Sequence, residues 1–292
     1  MAWYDDFKAI LALDAPLGPK TWLGVGGAAK YFFVPRGSEE LSALVHRLGA
    51  AHIPFHVLGA GANLLVRDEG VSGAVLSLAA PAFAAVTITG NRVRAGAGAD
   101  MAKLVLRCAR AGLSGLECLA GIPGTVGGQI RMNAGGSFGS IGSRVREITV
   151  MDHTGRVSTV AREQLNFTYR QGYRDAPLIL RAELELTPED PQRLATRIKE
   201  IWMYKKNTQP LAEHSAGCIF RNAAGVSAGA LIDQAGLKGL AVGLARVSER
   251  HANFIVARPG ATARQILDLI ELVRRRVREK FQVALETEVV IW

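Results

Sequence analysis

Three features of this sequence have the chemistry to bind a carboxylate or move a proton: Arg170, Cys218 and a pair of glutamates near the C-terminus. Arg170 ends Asn166-Phe-Thr-Tyr-Arg170, where an arginine behind an aromatic can present its planar fork to a carboxylate. Cys218 lies in His214-Ser-Ala-Gly-Cys-Ile-Phe-Arg-Asn222, flanked by small residues that leave the thiol uncrowded. A thiol with a pKa of about 8.5 is mostly protonated at neutral pH and can hand its proton to a carbanion. Glu286 and Glu288 alternate with Leu285, Thr287 and Val289, so a strand puts both carboxylates on one face. Side by side they repel, and one can keep its proton and act as an acid. Each feature also has a plainer reading: a solvated arginine, a structural cysteine, and two solvated carboxylates on an edge strand. Gly236-Leu-Lys-Gly239 and Val247-Ser-Glu-Arg-His-Ala-Asn-Phe254 mix turns with polar groups. His251 has no second His or Cys at ligand spacing, so no metal site is expected.

The stretch that could receive a ligand is Gly121-Ile-Pro-Gly-Thr-Val-Gly-Gly128, followed by Asn133-Ala-Gly-Gly136. Four glycines and a proline break any helix or strand through the first of these. The backbone is left free to lie against a bulky anion, with N–H groups forming a concavity. Val57-Leu-Gly-Ala-Gly-Ala-Asn-Leu-Leu-Val66 is a second candidate. Gly59-x-Gly61 follows a strand, as in a dinucleotide turn, but the third glycine is missing and the next element reads as a strand. Gly24-x-Gly26-x-x-Ala29 fits the looser pattern without a clear strand before it. A Rossmann site is therefore disfavoured. A strand–loop–strand can still grip a pyrophosphate, with Asn63 adding side-chain bonds; a tight hairpin is the alternative.

At 292 residues the chain suggests two domains or three small ones, and a hydrophobic fraction of 49% supports a large core. The opening Met1-Ala-Trp-Tyr-Asp-Asp6 does not resemble a signal peptide, and no apolar run reaches the roughly 18 residues of a membrane span. A soluble cytoplasmic protein is expected. Three scattered cysteines fit neither a disulfide framework nor a zinc pattern. The net charge of +9 favours anionic partners. Aromatics are 7% and are not interleaved with the basic run Arg274-Arg-Arg276, Arg278 and Lys280, so no nucleic-acid partner is expected.

Mixed short strands and helices must position these groups. Strands are predicted at Tyr31–Val34, Phe55–Leu58, Leu64–Val66, Ala74–Leu78 and Leu178–Leu186. Val86–Thr89 with Arg92–Arg94, and Ile148–Asp152 with Val157–Val160, read as hairpins. Helices are predicted from Ser38, after Asp100, from Pro191 to about Lys206 behind an Asp190 cap, from Ser227 to Ala235, and after Thr262 with Gln265 as a capping-box partner. Ile266, Ile270, Val273 and Val277 form the core face of the last helix, and Ala284–Trp292 is read as a closing strand. Residues 1–84, 85–206 and 207–292 divide as three units.

Taken together and in order, these segments resemble the UDP-N-acetylenolpyruvoylglucosamine reductase family. The resemblance runs from Thr21-Trp-Leu-Gly-Val-Gly-Gly27 through Leu58-Gly-Ala-Gly-Ala-Asn63, Gly121–Gly128, Met132-Asn-Ala-Gly135, Tyr169-Arg170, Ser215–Asn222, Leu237-Lys-Gly239 and Val247–Phe254 to Leu285-Glu-Thr-Glu-Val289. It implies an α+β fold: a two-part FAD-binding domain of the vanillyl-alcohol-oxidase type (residues 1–84 and 85–206) plus a C-terminal α/β substrate-binding domain (207–292). It implies FAD, NADPH as reductant, and hydride delivery to an enolpyruvyl group on a UDP-sugar, with a monomer expected. The cofactor-binding residues implied are Gly59, Ala60, Gly61, Ala62, Asn63, Leu64, Gly121, Ile122, Pro123, Gly124, Thr125, Gly127, Gly128, Asn133, Ala134 and Gly135. Arg170 and Glu288 would polarise the substrate carboxylate and stabilise an enolate, with Cys218 as proton donor. The Glu-Val of the family motif selects Glu288 over Glu286. Asn222 and Lys206, with Arg170, would face substrate. Cys218 stands where many members carry serine, Arg221-Asn-Ala223 replaces Lys-Asn-Pro, and Val290-Ile-Trp292 replaces the usual ending. The short stretch between Tyr169 and Cys218 implies the shorter subclass. Two rivals remain: another FAD oxidase or dehydrogenase on the same scaffold, and a non-enzymatic nucleotide or nucleic-acid binder.

Overall fold

The structure, a computed structural model, describes residues 2–223 and 225–292. In chain order the elements begin with β1 (Leu11–Pro16), β2 (Ala28–Phe33), α1 (Ser38–Ala50), β3 (Phe55–Leu58), β4 (Leu64–Leu65), β5 (Val71–Ser77), β6 (Val86–Thr89) and β7 (Arg92–Gly96). Then come α2 (Met101–Arg110), β8 (Leu113–Ser114), α3 (Val126–Arg131), β9 (Gly135–Gly136), β10 (Gly139–Ser140), β11 (Val145–Met151), β12 (Val157–Ala161), β13 (Leu178–Glu185), β14 (Thr187–Pro188) and α4 (Pro191–Thr208). The chain finishes with β15 (His214–Cys218), α5 (Ala228–Gln234), β16 (Ala241–Val242), β17 (Ala245–Val247), β18 (Phe254–Ala257), α6 (Ala263–Phe281) and β19 (Val290–Ile291). Two compact units emerge: Met1–Leu13, Tyr31–Ala60 and Gly73–Met203 form the first, and Asp14–Lys30, Gly61–Ser72 and Tyr204–Trp292 the second.

In the first unit β3 runs parallel to β5, Phe55 opposite Ala74 through Leu58 opposite Ser77, within a sheet of order β1–β2–β5–β3. A second sheet, β12–β11–β13–β7–β6, is antiparallel throughout. The Gly90-Asn91 turn closes the β6–β7 hairpin, with Thr89 opposite Arg92 and Gly90 at φ +58°. Asp100 caps α2 by accepting the Lys103 N–H at 2.8 Å, and Leu104, Val105 and Cys108 turn into the apolar core. Glu117 and Glu183 are buried carboxylates of this unit. Glu117, 6% exposed, accepts from Ser114 Oγ, the Gly115 amide and Arg197 of α4. Burial pushes its pKa upward, but main-chain amides, the Ser114 hydroxyl and Arg197 outweigh that, and the net shift is downward.

The second unit is built on an antiparallel sheet of order β15–β18–β17–β16. Helix α6 packs its apolar stripe (Ile266, Leu269, Ile270, Val273, Val277) into the core of this unit, each residue at most 1% exposed. Fully burying side chains of this size is worth roughly 1.5–3 kcal/mol apiece. Thr262 and Gln265 make the predicted capping box, and Asp68 accepts the next two amides, Ala263 and Arg264, at 2.8 and 2.9 Å.

Two local expectations are corrected. The glycine stretch does not exclude helix: α3 starts inside it, at Val126, because the Thr125 side chain accepts the Gly128 amide and caps the turn. Ala284–Trp292 is not a continuous strand. Only Val290 and Ile291 pair regularly, with Leu64 and Leu65, while Thr287 makes a single bridge to Phe220. The reason is a change of partner along the segment, from residues 219–221 to β4.

Candidate active site

The glycine-rich residues of the first unit are arranged by close backbone approach. Met101 donates to Gly124 O, Val126 to Ala99 O and Gly127 to Ala97 O, so part of the stretch is stitched to the chain that enters α2. A Cβ on Gly127 would stand 2.8 Å from the Ala97 Cβ, and one on Gly59 would stand 2.8 Å from Thr125 Oγ1. Gly59 at the end of β3 therefore sits against the 121–128 loop. Gly124 takes φ +144°, open only to glycine, with Gln129 Nε2 3.0 Å from its missing Cβ. The Gln129 amide donates to Ile122 O at 3.3 Å and Pro123 O at 3.0 Å and latches the turn. Ala60 borders Gly59, and Gly121 adopts φ +71°.

Asn133-Ala-Gly135 continues from α3. Asn133, 7% exposed and at φ +44°, accepts the Gly142 amide at 3.0 Å and donates to Thr168 O at 2.7 Å. Its side chain is thereby committed to the loop that carries Arg170. Ala134 donates to Gln129 O, and Gly135 closes on the β10 backbone, where a Cβ would meet Gly139 O at 2.2 Å. Thr168 and Gln171 bond each other both ways around Tyr169-Arg170, a tight turn. Arg170 occupies its second corner at φ +56°, a left-handed conformation that costs a non-glycine residue on the order of 1 kcal/mol or more. Its guanidinium donates to Gly135 O at 2.6 Å and lies 5.4 Å from the Tyr169 ring centroid.

In the second unit Cys218 sits beyond a bulge. Ser215 pairs with Val256 and Cys218 with Phe254, so one extra residue interrupts the β15 alternation; Gly217 takes φ +74° there. A bulge re-aims the side chain that follows it. Asn253, 3% exposed, holds Phe220, two residues beyond Cys218, by both ends of its amide: Oδ1 accepts the Phe220 N–H at 2.9 Å and Nδ2 donates to Phe220 O at 2.8 Å. The Ile219 carbonyl in turn accepts the Glu288 amide at 2.7 Å, and Arg221 donates to Glu286 O at 2.8 Å. Cys218 and Glu288 are thus brought to neighbouring backbone positions. The two glutamates separate: Glu286 has an 80% exposed side chain, 4.0 Å from Arg221, while Glu288 is partly buried. Asn63 donates to Glu288 O at 3.2 Å and accepts the Val290 amide, and Leu64 pairs with Val290. Gly61, at φ +64°, lets the Lys20–Thr21 backbone approach, and Ala62 is partly buried. Asn222 accepts the Ala228 amide at the start of α5. Lys206 is exposed on α4, whereas its neighbour Lys205 is 7% exposed, a difference that helical spacing could have signalled.

Sequence reasoning missed Gln129, Asn253 and Arg131. Each is a polar residue whose partners are main-chain groups of a distant or turning segment, and spacing carries no trace of that. His251 was noticed without a role; its Nδ1 accepts the Asn253 amide at 3.2 Å. Burial, then Lys238, lowers its pKa and favours the neutral ring. Among the described residues no cluster suited to a metal ion occurs. A flavin dinucleotide fits the first unit. Positions 128 and 136 are open enough that a Cβ would meet at most Thr125 Oγ1 at 3.4 Å, and the buried Gln129 Oε1 has no donor among the described residues. A ligand rich in hydroxyl and N–H donors suits that arrangement.

The family model "UDP-N-acetylenolpyruvoylglucosamine reductase, C-terminal domain" matches residues 209–292, and the FAD binding domain model matches residues 29–161. UDP-N-acetylenolpyruvoylglucosamine reductases are similar along nearly the whole chain. That of Bradyrhizobium sp. is 39% identical over 280 residues, 96% of this chain and 91% of the relative. That of Geobacter metallireducens is 41% identical over 287 residues, 97% of this chain and 94% of the relative. The crystal structure of the Thermus caldophilus enzyme of that name superposes with a TM-score of 0.84 at 39% identity, covering 97% of this chain and 99% of the other.

Proposed function

The chain belongs to the UDP-N-acetylenolpyruvoylglucosamine reductase family, and from that premise we propose that it reduces UDP-N-acetylglucosamine enolpyruvate to UDP-N-acetylmuramate, a peptidoglycan precursor, with NADPH as reductant. FAD, when bound, would supply the two-electron chemistry that links NADPH oxidation to reduction of a carbon acceptor. In this reading residues 1–84 and 85–206 hold the cofactor and 207–292 hold the UDP-sugar. Gly59–Leu64, Gly121–Thr125, Gly127, Gly128 and Asn133–Gly135 are the cofactor-binding residues, Asn133 through its main chain.

Each proposed catalytic residue has one task. Arg170 offers a guanidinium fork to the substrate carboxylate and stabilises the negative charge that develops beside it. Glu288 assists at the same group. Cys218 donates the Sγ proton to the carbon next to the carboxylate and is reprotonated from water. A hydride and a proton are thus added across the carbon–carbon double bond. Asn222 and Lys206 contact the nucleotide sugar. The reading keeps the enzyme monomeric, cytoplasmic and without a nucleic-acid partner. Among the described residues no helix is long and apolar enough to cross a membrane.

The observation that carries this reading is the full-length likeness to the Thermus caldophilus reductase structure. It is tested by the absorption spectrum of the purified protein. The expected result is a flavin spectrum bleached by NADPH and restored, without oxygen, by the enolpyruvyl nucleotide. A colourless protein that takes up no FAD would sink it, and reoxidation only by oxygen would move the chain to another class of FAD enzyme.

A further inference from the structure

Arg131 ends the short helix that leaves the glycine stretch, and among the described residues its guanidinium forms no ion pair. Its three side-chain hydrogen bonds all go to main-chain carbonyls of one loop: Tyr173 O at 2.8 Å, Ala176 O at 2.8 Å and Pro177 O at 2.7 Å. Taking an arginine partly out of water without a carboxylate in contact is costly. The return here is mechanical, because a planar fork fixes three carbonyls at once. The same loop is fastened to the same segment at three more points. Gly172 donates to Arg131 O at 3.2 Å, Asn133 donates to Thr168 O at 2.7 Å, and Arg170 donates to Gly135 O at 2.6 Å. Contact at Gly172 is so close that a Cβ would lie 1.7 Å from Ile130 O. Residues 130–135 therefore form one edge of a strap, and residues 168–177 the other.

We infer that Arg131 is a positioning residue for Arg170: it locks the 168–177 loop onto the segment that follows the flavin-binding glycines, so that Arg170 is held in its left-handed turn before substrate arrives. This rests on the proposed role of Arg170. The strained corner at Arg170 persists because the turn is bound on both flanks, at Thr168 by Asn133 and at residues 173–177 by Arg131. The strap also ties the order of the Arg170 turn to the stretch assigned to the cofactor.

The test uses the FAD-loaded enzyme and two variants that attack the contact from opposite sides. Arg131→Lys keeps the charge and loses the fork; Gly172→Ala pushes the loop off Ile130. In rapid mixing, each is expected to slow reoxidation of the reduced flavin by the enolpyruvyl nucleotide by roughly 10–10²-fold, the range for a catalytic group displaced by about 1 Å. Flavin reduction by NADPH stays at the wild-type rate. Amide hydrogen exchange over 168–177 is expected to rise in both variants with FAD bound. Combined with Arg170→Ala, neither substitution should slow reoxidation further, since it acts through that side chain. Unchanged exchange, or slowing that multiplies with that of Arg170→Ala, overturns the inference. If Arg170→Ala is slow while both variants react normally, the inference alone falls. If Arg170→Ala itself reacts normally, the assigned role of Arg170 falls first and the inference with it. Should one variant lose the flavin spectrum, the other decides.

Discussion

Of the three thiols, Cys218 is the one to which the proposed reaction gives a role. Cys108 faces the core of the first unit, and burial pushes its pKa up to about 11. It is expected to resist iodoacetamide in the native protein at pH 8, where its thiolate is scarce, while Cys118 and Cys218, both partly buried, are modified first; peptide mapping after brief alkylation checks this. Rapid labelling of Cys108 would contradict its burial. Cys218→Ala is expected to slow flavin reoxidation by substrate by roughly 10²-fold or more and leave NADPH-driven reduction intact, as for a lost general acid. Cys218→Ser should keep much of the activity. Normal turnover by the alanine variant would move the acid elsewhere. The residue type was legible in the sequence, as was the family position of Glu288. What could not be read was the difference between Glu286 and Glu288. Strand alternation makes them equivalent, but the structure leaves one carboxylate in solvent and buries part of the other.

At the level of elements, a bulge does what the regular ladder cannot. Residues 218–222 need a partner on each side, and the Asn253 amide imitates a strand by satisfying both main-chain groups of Phe220. Asn253→Ala leaves a buried N–H and a buried carbonyl unpaired, at roughly 1–3 kcal/mol each. The expected outcome is a lower urea midpoint with an unchanged slope, and a larger loss in substrate-driven reoxidation than in flavin reduction. A variant as stable as wild type would show that water replaces the amide. Helices were the most legible elements. Asp100, Ser227 and the Thr262–Gln265 pair cap where the sequence puts them. Strand β15 and the start of α3 were missed because their signals are not local: one is a ladder with a bulge, the other a cap inside a glycine run.

On the scale of the whole molecule, net charge +9 suits a protein whose proposed ligands are all nucleotides, and pH acts on it through groups held inside. Glu117 is the clearest case. Its folded pKa lies below the unfolded value of 4.5, despite burial, because of its amide, hydroxyl and guanidinium donors. Its stabilisation is therefore fully present above pH 4.5 and is lost as pH falls through the lowered folded value. Glu117→Gln is expected to be less stable than wild type at neutral pH, and the gap should close on acidification through that window. Urea midpoints measured from neutral to acidic pH check it, and a gap that ignores pH would show that the ionised form is not what Ser114, Gly115 and Arg197 hold.

By itself the sequence determined which residue types and caps recur, in which order, and hence the family, the cofactor class and most helices. Those signals are local: a periodicity, a cap, a glycine that must reach positive φ. Only the tertiary structure decided that Asn133 holds the loop of Arg170 and that Arg131 binds three carbonyls some forty residues on. Hydrogen bonds to main-chain groups leave no residue-specific mark on the partner, so spacing along the chain cannot announce them.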